Sequence, residues 1–259
     1  MPGEKNSGHG KTEKVWIGLP DGKPGSGEEE MNKIYIGVKY SLDFLIALAF
    51  AAALSPVMLV IAAAIKAEDG GPAIFSQWRT GAGGRKFRCY KFRSMKSTDV
   101  SYDKDKRVIA DTNPNLTRVG RFIRKFKLDE LPQLFNIIKG DMCFIAPRPL
   151  LPVFDTDYED WEMVKFEMRP GLTGLGQVCG NGHLSIKDRK YYDVYYVMHV
   201  SLWLDIKIAF KTVGVVLFGE KRYLRPVSET EYRRLKCAVR RRYTVSPETV
   251  AHLRPSSLS

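Results

Sequence analysis

Residues 42–65 read LDFLIALAFAAALSPVMLVIAAAI, and the placement of this stretch decides the architecture of the chain. Its one charge, Asp43, lies at its start. The run has the length of a membrane-crossing helix, roughly 20 residues, and is apolar all round. A core helix at a protein surface carries a polar stripe, so burial in a soluble core fits this run least well. Ser55-Pro56 sits near its middle. Proline removes a backbone donor and clashes with the preceding turn, so a kink is expected there. Ser55 is placed to help satisfy the freed carbonyl. Two arrangements remain open on these residues: a kinked single span, or a re-entrant helix that enters and leaves on one face. Lys33 and Lys39 precede the run and Lys66 follows it, so flanking charge gives no orientation.

Outside this stretch the chain is polar and basic. Its 259 residues carry 41 Lys and Arg against 29 Asp and Glu, a formal net charge of +12. A hydrophobic fraction of 44% suffices for a core and excludes a wholly disordered chain. A mean hydropathy of −0.24 excludes a polytopic membrane protein. The charge surplus implies an acidic partner: nucleic acid, anionic lipid or a phosphorylated substrate. Cys89, Cys143, Cys179 and Cys237 are far apart, without a C-x-x-C pair or a Cys/His cluster. Neither a disulfide framework nor a zinc site is indicated, and reduced thiols in a cytosolic domain are the simplest reading. Residues 1–32 are expected to be a flexible polar tail, without the apolar segment of a secretory signal. Gly10-Lys11-Thr12 mimics the end of a phosphate loop, but Lys5 stands where a glycine is needed and no strand precedes it.

Downstream, residues 73–79 and 86–92 are short aromatic-containing runs joined by Thr80-Gly81-Ala82-Gly83-Gly84, which predicts a β-hairpin. The acid- and lysine-rich stretch 97–116 reads as a mobile polar loop. From Thr117, Val119, Phe122, Ile123 and Phe126 fall on one helical face between Arg118, Arg121, Arg124, Lys125 and Lys127. A basic amphipathic helix of this kind suits a membrane interface, although the same face also suits a protein core. A second helix is expected from about Asp129, because Pro132 is tolerated only in a first turn, with Gly140 as its stop. Tyr191 to Phe218 is aromatic and then apolar, as at a lipid headgroup layer. Residues 220–259 form a basic C-terminal segment, either solvated or in contact with anionic lipid.

Adjacent Asp129-Glu130 is the central chemical observation. First-turn acids alone explain many such pairs through the helix dipole. Here a cluster of cations precedes them and is expected to hold both carboxylates ionised. Neighbouring helical residues project about 100° apart, which suits two roles better than one shared proton. An ionised Asp can act as a nucleophile or as a Mg²⁺ ligand. Three cationic sites in restrained settings can grip phosphate: Lys91-Phe92-Arg93, Arg148 between Pro147 and Pro149, and Arg169 before Pro170-Gly171.

These residues carry a resemblance. From about Lys39 to Gly219 the chain resembles the bacterial sugar transferases, the monotopic phosphoglycosyl transferases. The matching stretches are Lys39-Tyr40-Ser41-Leu42-Asp43, Ser55-Pro56, Gly71-Pro72, Gln77-Trp78-Arg79-Thr80-Gly81 and Lys91-Phe92-Arg93-Ser94-Met95. They continue through Thr117-Arg118-Val119-Gly120, Leu128-Asp129-Glu130-Leu131-Pro132-Gln133-Leu134, Gly140-Asp141-Met142 and Pro147-Arg148-Pro149-Leu150. The last are Arg169-Pro170-Gly171-Leu172-Thr173-Gly174, Gln177-Val178, Asp193 and Tyr195-Tyr196. The resemblance implies that Asp129 attacks the β-phosphate of a UDP-sugar, releases UMP and forms a covalent phosphosugar. A polyprenol phosphate, usually undecaprenyl phosphate, then takes the sugar phosphate in the first membrane step of polysaccharide assembly. It further implies that Glu130 assists by metal contact or proton handling, and that Mg²⁺ near Asp129 and Glu130 neutralises the diphosphate. By the same resemblance Arg148, flanked by Pro147 and Pro149, contacts the nucleotide, while Lys91, Arg93 and Arg169 bind phosphate. Asp141 takes a structural or metal-linked role.

The implied fold is helix-dominated α+β: a re-entrant membrane helix over 33–66 broken at Ser55 and Pro56, then a catalytic domain over 67–219 with interfacial amphipathic helices and a β-hairpin. The implied location is the cytoplasmic face of the bacterial inner membrane, against anionic lipids and with no nucleic-acid partner; a homo-oligomer is compatible with it. Gly180-Asn181-Gly182 departs from the family's Gly-Arg-Asn, and Ala146 replaces a frequent Gly. The first departure lies where the sugar is expected. Two other readings are a non-catalytic basic protein that binds membrane surfaces or nucleic acid, and a glycosyltransferase that releases UDP.

Overall fold

The structure, a computed structural model, describes residues 26–96 and 113–243, with side chains from residue 33 onward. The expected tail lies mostly outside the described residues, and so does most of the expected polar loop. The apolar run belongs to one long helix, α1 (Ser26–Asp69), which begins inside the stretch expected to be a tail. It is helical straight through Ser55-Pro56, so the expected break in secondary structure is absent. The Ser55 hydroxyl donates to the Ala52 carbonyl at 2.8 Å, which helps the backbone absorb the proline.

One face of α1 packs on the rest of the protein along almost its whole length. Lys39, Asp43, Ala47, Ala51, Met58, Ile61 and Ile65 are buried at three-, four- and seven-residue spacings. The opposite face exposes Leu42, Leu45, Leu48, Phe50, Leu59 and Val60. Both ends are tied to the same domain. At one end the Lys39 ammonium donates to Asp205 at 2.7 Å, and the Phe144 N–H donates to Asp43 at 3.3 Å. At the other, Glu68 accepts the backbone N–H groups of Arg118 (2.6 Å) and Val119 (3.0 Å).

After α1 the chain forms the expected hairpin, β1 (Ile74–Thr80) and β2 (Lys86–Phe92), antiparallel with Thr80 opposite Lys86. Next comes the basic helix α2 (Arg118–Lys125), where the Thr117 hydroxyl accepts the Gly120 N–H. Gly120 is required sterically, since a Cβ there would lie 2.1 Å from the Ser94 carbonyl oxygen. The short α3 (Gln133–Ile138) follows. A minimal parallel pair, β3 (Cys143–Ile145) with β4 (Gly171–Thr173), was not predicted. Then come α4 (Leu175–Val178), α5 (Ile186–Met198), α6 (Leu202–Phe218) and α7 (Glu229–Arg242).

The largest core surrounds α5, whose residues Lys190 to Met198 are all buried. The tyrosines expected at a headgroup layer are therefore core residues: Tyr191, Tyr192, Tyr195 and Tyr196 all pack inside. Trp161, α6 and the α7 residues Tyr232, Leu235 and Val239 complete this core. Residues 229–242 are thus a docked helix rather than a solvated tail. Two smaller clusters seat α1. Ala47 and Ala51 meet Leu134 and Ile137 of α3. Met58, Ile61 and Ile65 meet Ile123 of α2 and Phe92 of β2. Ala47 is 0% exposed, so a larger side chain there would force α1 off α3 at a cost of about 1–3 kcal/mol.

The basic helix α2 divides its apolar residues between two tasks. Val119 and Ile123 join the cluster beneath α1, while Phe122 and Phe126 stay exposed with ring centroids 5.1 Å apart. Helix α6 also exposes an apolar face, with Trp203, Phe210, Val213 and Leu217 outward.

Candidate active site

Asp129 and Glu130 do not begin a helix. They sit in a tight 3₁₀ turn, Leu128–Glu130, between α2 and α3, and Pro132 caps α3 three residues later than expected. Lys127 enters the turn with left-handed backbone, φ 57°. Its ammonium donates to Glu220 at 2.5 Å, and Glu220 also accepts from the Asn181 amide at 2.8 Å. The departing Gly180-Asn181-Gly182 segment is thereby linked to the dyad turn. Glu220, one residue past the expected limit of the catalytic domain, thus meets the dyad turn.

The two carboxylates have different surroundings. Glu130 Oε1 accepts from Lys91 Nζ and from Arg148 Nη2, each at 2.6 Å. Burial pushes the Glu130 carboxyl up, but Arg148 and Lys91 together outweigh it and hold the group well below the usual carboxylate range. Asp129 is buried as well, and its carboxylate has no hydrogen-bond partner among the described residues. Burial raises its pKa, the Glu130 charge raises it further, and Lys91 with the nearby Arg124 and Lys127 opposes them without prevailing. The cation cluster therefore secures ionisation of Glu130, whereas Asp129 is held closer to its neutral form than expected.

Arg148 is fixed at its backbone as well as at its tip. Its N–H donates to Asp193 Oδ1 at 3.2 Å, and its carbonyl accepts from Lys165 Nζ at 3.2 Å. Lys165 and Asp193 are themselves a buried ion pair at 2.7 Å. The flanking prolines serve the same end. The Pro147 carbonyl accepts the Gly171 N–H at 2.8 Å, and the Pro149 carbonyl accepts from Arg79 at 3.4 Å. A Cβ at Gly174 would lie 2.1 Å from the Ala146 carbonyl oxygen, so that glycine lets the chain approach the Pro-Arg-Pro segment.

Beside the dyad lies a narrow cleft lined by Arg79, Cys89, Lys91, Gln133, Arg148 and Pro149. Sequence reasoning missed Arg79 and Gln133 as site residues. Gln133 is 2% exposed and its Nε2 has no hydrogen-bond partner among the described residues. A buried donor left unsatisfied costs about 1–3 kcal/mol, and at this place in the cleft the donor is available to a bound molecule. Burial pushes the Cys89 thiol up, away from reactivity.

Three expected phosphate or metal residues stand elsewhere. Arg93 turns to the end of α1, where both terminal nitrogens meet Asp69 and Nε donates to the Pro72 carbonyl at 2.7 Å. Arg169 stacks on Tyr40 of α1, 4.3 Å from the ring centroid, and does not line the cleft. Asp141 accepts from Asn136 Nδ2 at 3.3 Å; Asn136 in turn accepts the Tyr90 N–H and donates to the Arg88 carbonyl. Asn136 thereby ties α3 to β2, and Asp141 stands beside it, outside the cleft.

No cluster of three or more His, Cys, Asp or Glu side chains suited to a metal occurs among the described residues. Mg²⁺ typically binds one or two protein carboxylates together with substrate phosphates and water. Asp129, uncommitted to any hydrogen bond, fits that pattern. Glu130 fits it less well, because one of its oxygens already bridges two cations.

The structure thus sets a dyad turn beside a cationic cleft and a braced Pro-Arg-Pro arginine, next to a long apolar helix. Comparison with known proteins gives the family. Residues 34–219 match the sequence model of the bacterial sugar transferases, and the chain belongs to that family. It is 40% identical over 192 residues to the UDP-N-acetylgalactosamine-undecaprenyl-phosphate N-acetylgalactosaminephosphotransferase of Aeromonas hydrophila, covering 72% of this chain and 45% of that protein. It is 39% identical over 201 residues to the undecaprenyl-phosphate galactose phosphotransferase of Salmonella typhimurium, covering 72% of this chain and 42% of that protein. It is 37% identical over 199 residues to the exopolysaccharide production protein ExoY of Sinorhizobium fredii, covering 71% and 88%. The match thus spans under half the length of the first two and most of the third.

Proposed function

We propose that the protein transfers a sugar-1-phosphate from a UDP-sugar to a polyprenol phosphate at a membrane surface, as the first lipid-linked step of polysaccharide assembly. The observation that carries this reading is the division of labour in the dyad. Glu130 is clamped between Lys91 and Arg148, while Asp129 next to it keeps an uncommitted carboxylate. An Asp129 oxygen attacks the β-phosphorus, the bond from that phosphorus to the UMP oxygen breaks, and UMP leaves with the electron pair. The polyprenol phosphate oxygen then attacks the aspartyl-bound phosphorus and regenerates the Asp129 carboxylate.

The remaining residues serve charge and position. Lys91, Arg148 and Arg79 face the negative charge of the diphosphate. Gln133 offers its free amide to a substrate oxygen. Asp129, with Glu130 beside it, would hold Mg²⁺, which would supply Lewis-acid neutralisation of the diphosphate. Chelation with EDTA is then expected to abolish UMP release, and added Mg²⁺ to restore it. The names of the Aeromonas hydrophila and Salmonella typhimurium relatives differ in the sugar and share undecaprenyl phosphate, which supports that lipid class as the acceptor here.

The attachment of both ends of α1 to one domain supports a re-entrant insertion from the cytoplasmic face of the inner membrane over a full crossing. The exposed apolar faces of α2 and α6 then lie at the interface, against anionic lipid.

The experiment that tests the reaction is labelling with a UDP-sugar carrying ³²P at the β-phosphate. Wild type retains label on the protein and Asp129→Asn does not. Release of UDP in place of UMP, or labelling of the Asn variant, overturns the reading.

A further inference from the structure

Among the described residues only two that are not glycine hold a left-handed backbone, Lys127 at φ 57° and Asn181 at φ 43°. A side chain is crowded by its own backbone there, so such a residue persists only where its surroundings hold it. The two are far apart in sequence, yet their side chains end on the same atom. Glu220 Oε1 accepts from Lys127 Nζ at 2.5 Å and from Asn181 Nδ2 at 2.8 Å.

Each of these residues stands at a joint. The Lys127 N–H donates to the Arg124 carbonyl at 3.1 Å and closes α2. Its carbonyl accepts the Glu130 N–H at 3.2 Å and opens the turn that carries Asp129. Left-handed geometry just past a helix end is usually supplied by glycine, but here a lysine supplies it. Asn181 follows Gly180, where a Cβ would lie 2.7 Å from the Leu224 side chain. That region is also stitched by backbone, since the Arg225 N–H donates to the Cys179 carbonyl at 2.9 Å. The 3₁₀ turn Glu220–Tyr223 runs directly into it. Glu220 therefore extends from a segment that is fixed without it, and the Lys127 ammonium is what it captures.

Burial pushes the Glu220 carboxyl up, but Lys127, Asn181 and Arg148 outweigh that and hold it below the usual range, so it stays ionised. Lys127 is also one of the cations whose charge reaches Asp129. Its ammonium is spent on Glu220, and the Asp129 carboxylate next to it stays uncommitted. The chemistry proposed above gives Glu220 no part, and the family match ends one residue before it.

We propose that Glu220 is a positioning residue for the transfer: by capturing the Lys127 ammonium it holds the left-handed joint from which the Asp129 turn starts. The proposal rests on the reading of Asp129 as the nucleophile. Its first readout needs no turnover.

The test uses the full chain in detergent. Hydrogen exchange read by mass spectrometry follows the peptide spanning residues 126–131. In Glu220→Ala its amides are expected to exchange about tenfold faster, as for one lost charge-assisted hydrogen bond, while those of α3 exchange as in wild type. UMP release is then measured with undecaprenyl phosphate and whichever of UDP-galactose, UDP-glucose and UDP-N-acetylgalactosamine the wild type uses. A fall of about tenfold in kcat is expected in Glu220→Ala, with KM for the nucleotide sugar unchanged. Lys127→Met, which cuts the same bond and spares Asn181, is expected to match it. The deciding variant is Lys127→Gly, because glycine takes the left-handed backbone without a captor. In that background Glu220→Ala is expected to change exchange and kcat by less than about twofold. A Glu220 with only a bulk structural role would cost as much there as in wild type. Should Glu220→Ala fail to fold, Glu220→Gln takes its place, since it keeps an acceptor for Asn181. Unchanged exchange at residues 126–131, or an undiminished loss in the Lys127→Gly background, overturns the proposal. UMP release by Asp129→Asn at the wild-type rate would overturn the nucleophile reading beneath it, a result told apart because the exchange at residues 126–131 does not depend on it.

Discussion

Two of the protein's clusters of buried charge, one at the start of α1 and one at the dyad, differ in how fully they are satisfied. At the start of α1, Asp205 accepts from Lys39 and from the Tyr35 hydroxyl, each at 2.7 Å, with the Tyr196 hydroxyl 2.6 Å from its other oxygen. Asp43 adds a second carboxylate 3.7 Å from Lys39. Each charge there is answered within the cluster. At the dyad, Glu130 is answered by two cations, while Asp129 and Gln133 Nε2 have no hydrogen-bond partner among the described residues. The first cluster is closed by its own hydrogen bonds, whereas the second keeps groups open to a ligand, as the proposed reaction needs.

The contrast can be broken in order of expected effect. Asp129→Asn should lower UMP release on the order of 10⁴-fold, as for loss of a nucleophile, without lowering the thermal unfolding midpoint in detergent. A fall in that midpoint would make Asp129 a structural residue. Asp205→Leu should act in the opposite sense. Stranding Lys39 costs about 3–5 kcal/mol of stability, read by denaturant unfolding, while KM for the UDP-sugar in the surviving folded fraction stays at its wild-type value. Gln133→Leu joins the two ideas: stability should rise by about 1 kcal/mol as an unsatisfied donor is removed, while kcat/KM falls about tenfold.

Two smaller effects sharpen the picture of the dyad. Asp193→Asn keeps an acceptor for the Arg148 N–H but weakens the pair with Lys165, so kcat should fall by roughly fivefold to tenfold. Lys165→Met should give a similar loss, and the double variant should lose no more than either single one, because both act through Arg148. In the metal-free protein the Asp129 carboxyl should titrate above the ordinary Asp pKa of about 3.9, since burial raises it, and a pH titration followed by NMR reads this directly. Lys91→Met removes a charge that lowers it, so the midpoint should move further up. A downward shift would show that Asp129 is not the group titrating.

Much of this was legible in the sequence, for reasons that differ by residue. The hairpin followed from two aromatic-containing runs around Gly81, Gly83 and Gly84, a purely local signal. That Asp129 and Glu130 adjoin cations followed from the acidic pair standing after a basic run, and Arg148, restrained by a proline on each side, is one of the cations the structure brings to Glu130. Arg93 and Arg169 looked equivalent to it, yet their partners, Asp69 and Tyr40, lie 24 and 129 residues away in the chain. No local pattern encodes such pairings. The tyrosines of α5 misled because a helix buried on every side and a helix at a headgroup layer are both aromatic-rich. The β3–β4 pair, three residues a side, is too short to leave a periodicity. Gln133 left no trace, since an unsatisfied amide is a property of what surrounds it.

The anchoring of α1 also orders the birth of the protein. Lys39 and Asp205 are 166 residues apart, so at ribosomal speeds of about 5–20 residues per second their meeting waits roughly 10–30 s after α1 is made. Glu68 waits for Arg118 in the same way, over a shorter interval. Until Arg118 is made the apolar helix has neither of its fastenings, and from then until Asp205 is made it has only the one at Glu68. On the proposal that α1 is membrane-inserted, the bilayer would shelter its exposed face through that interval.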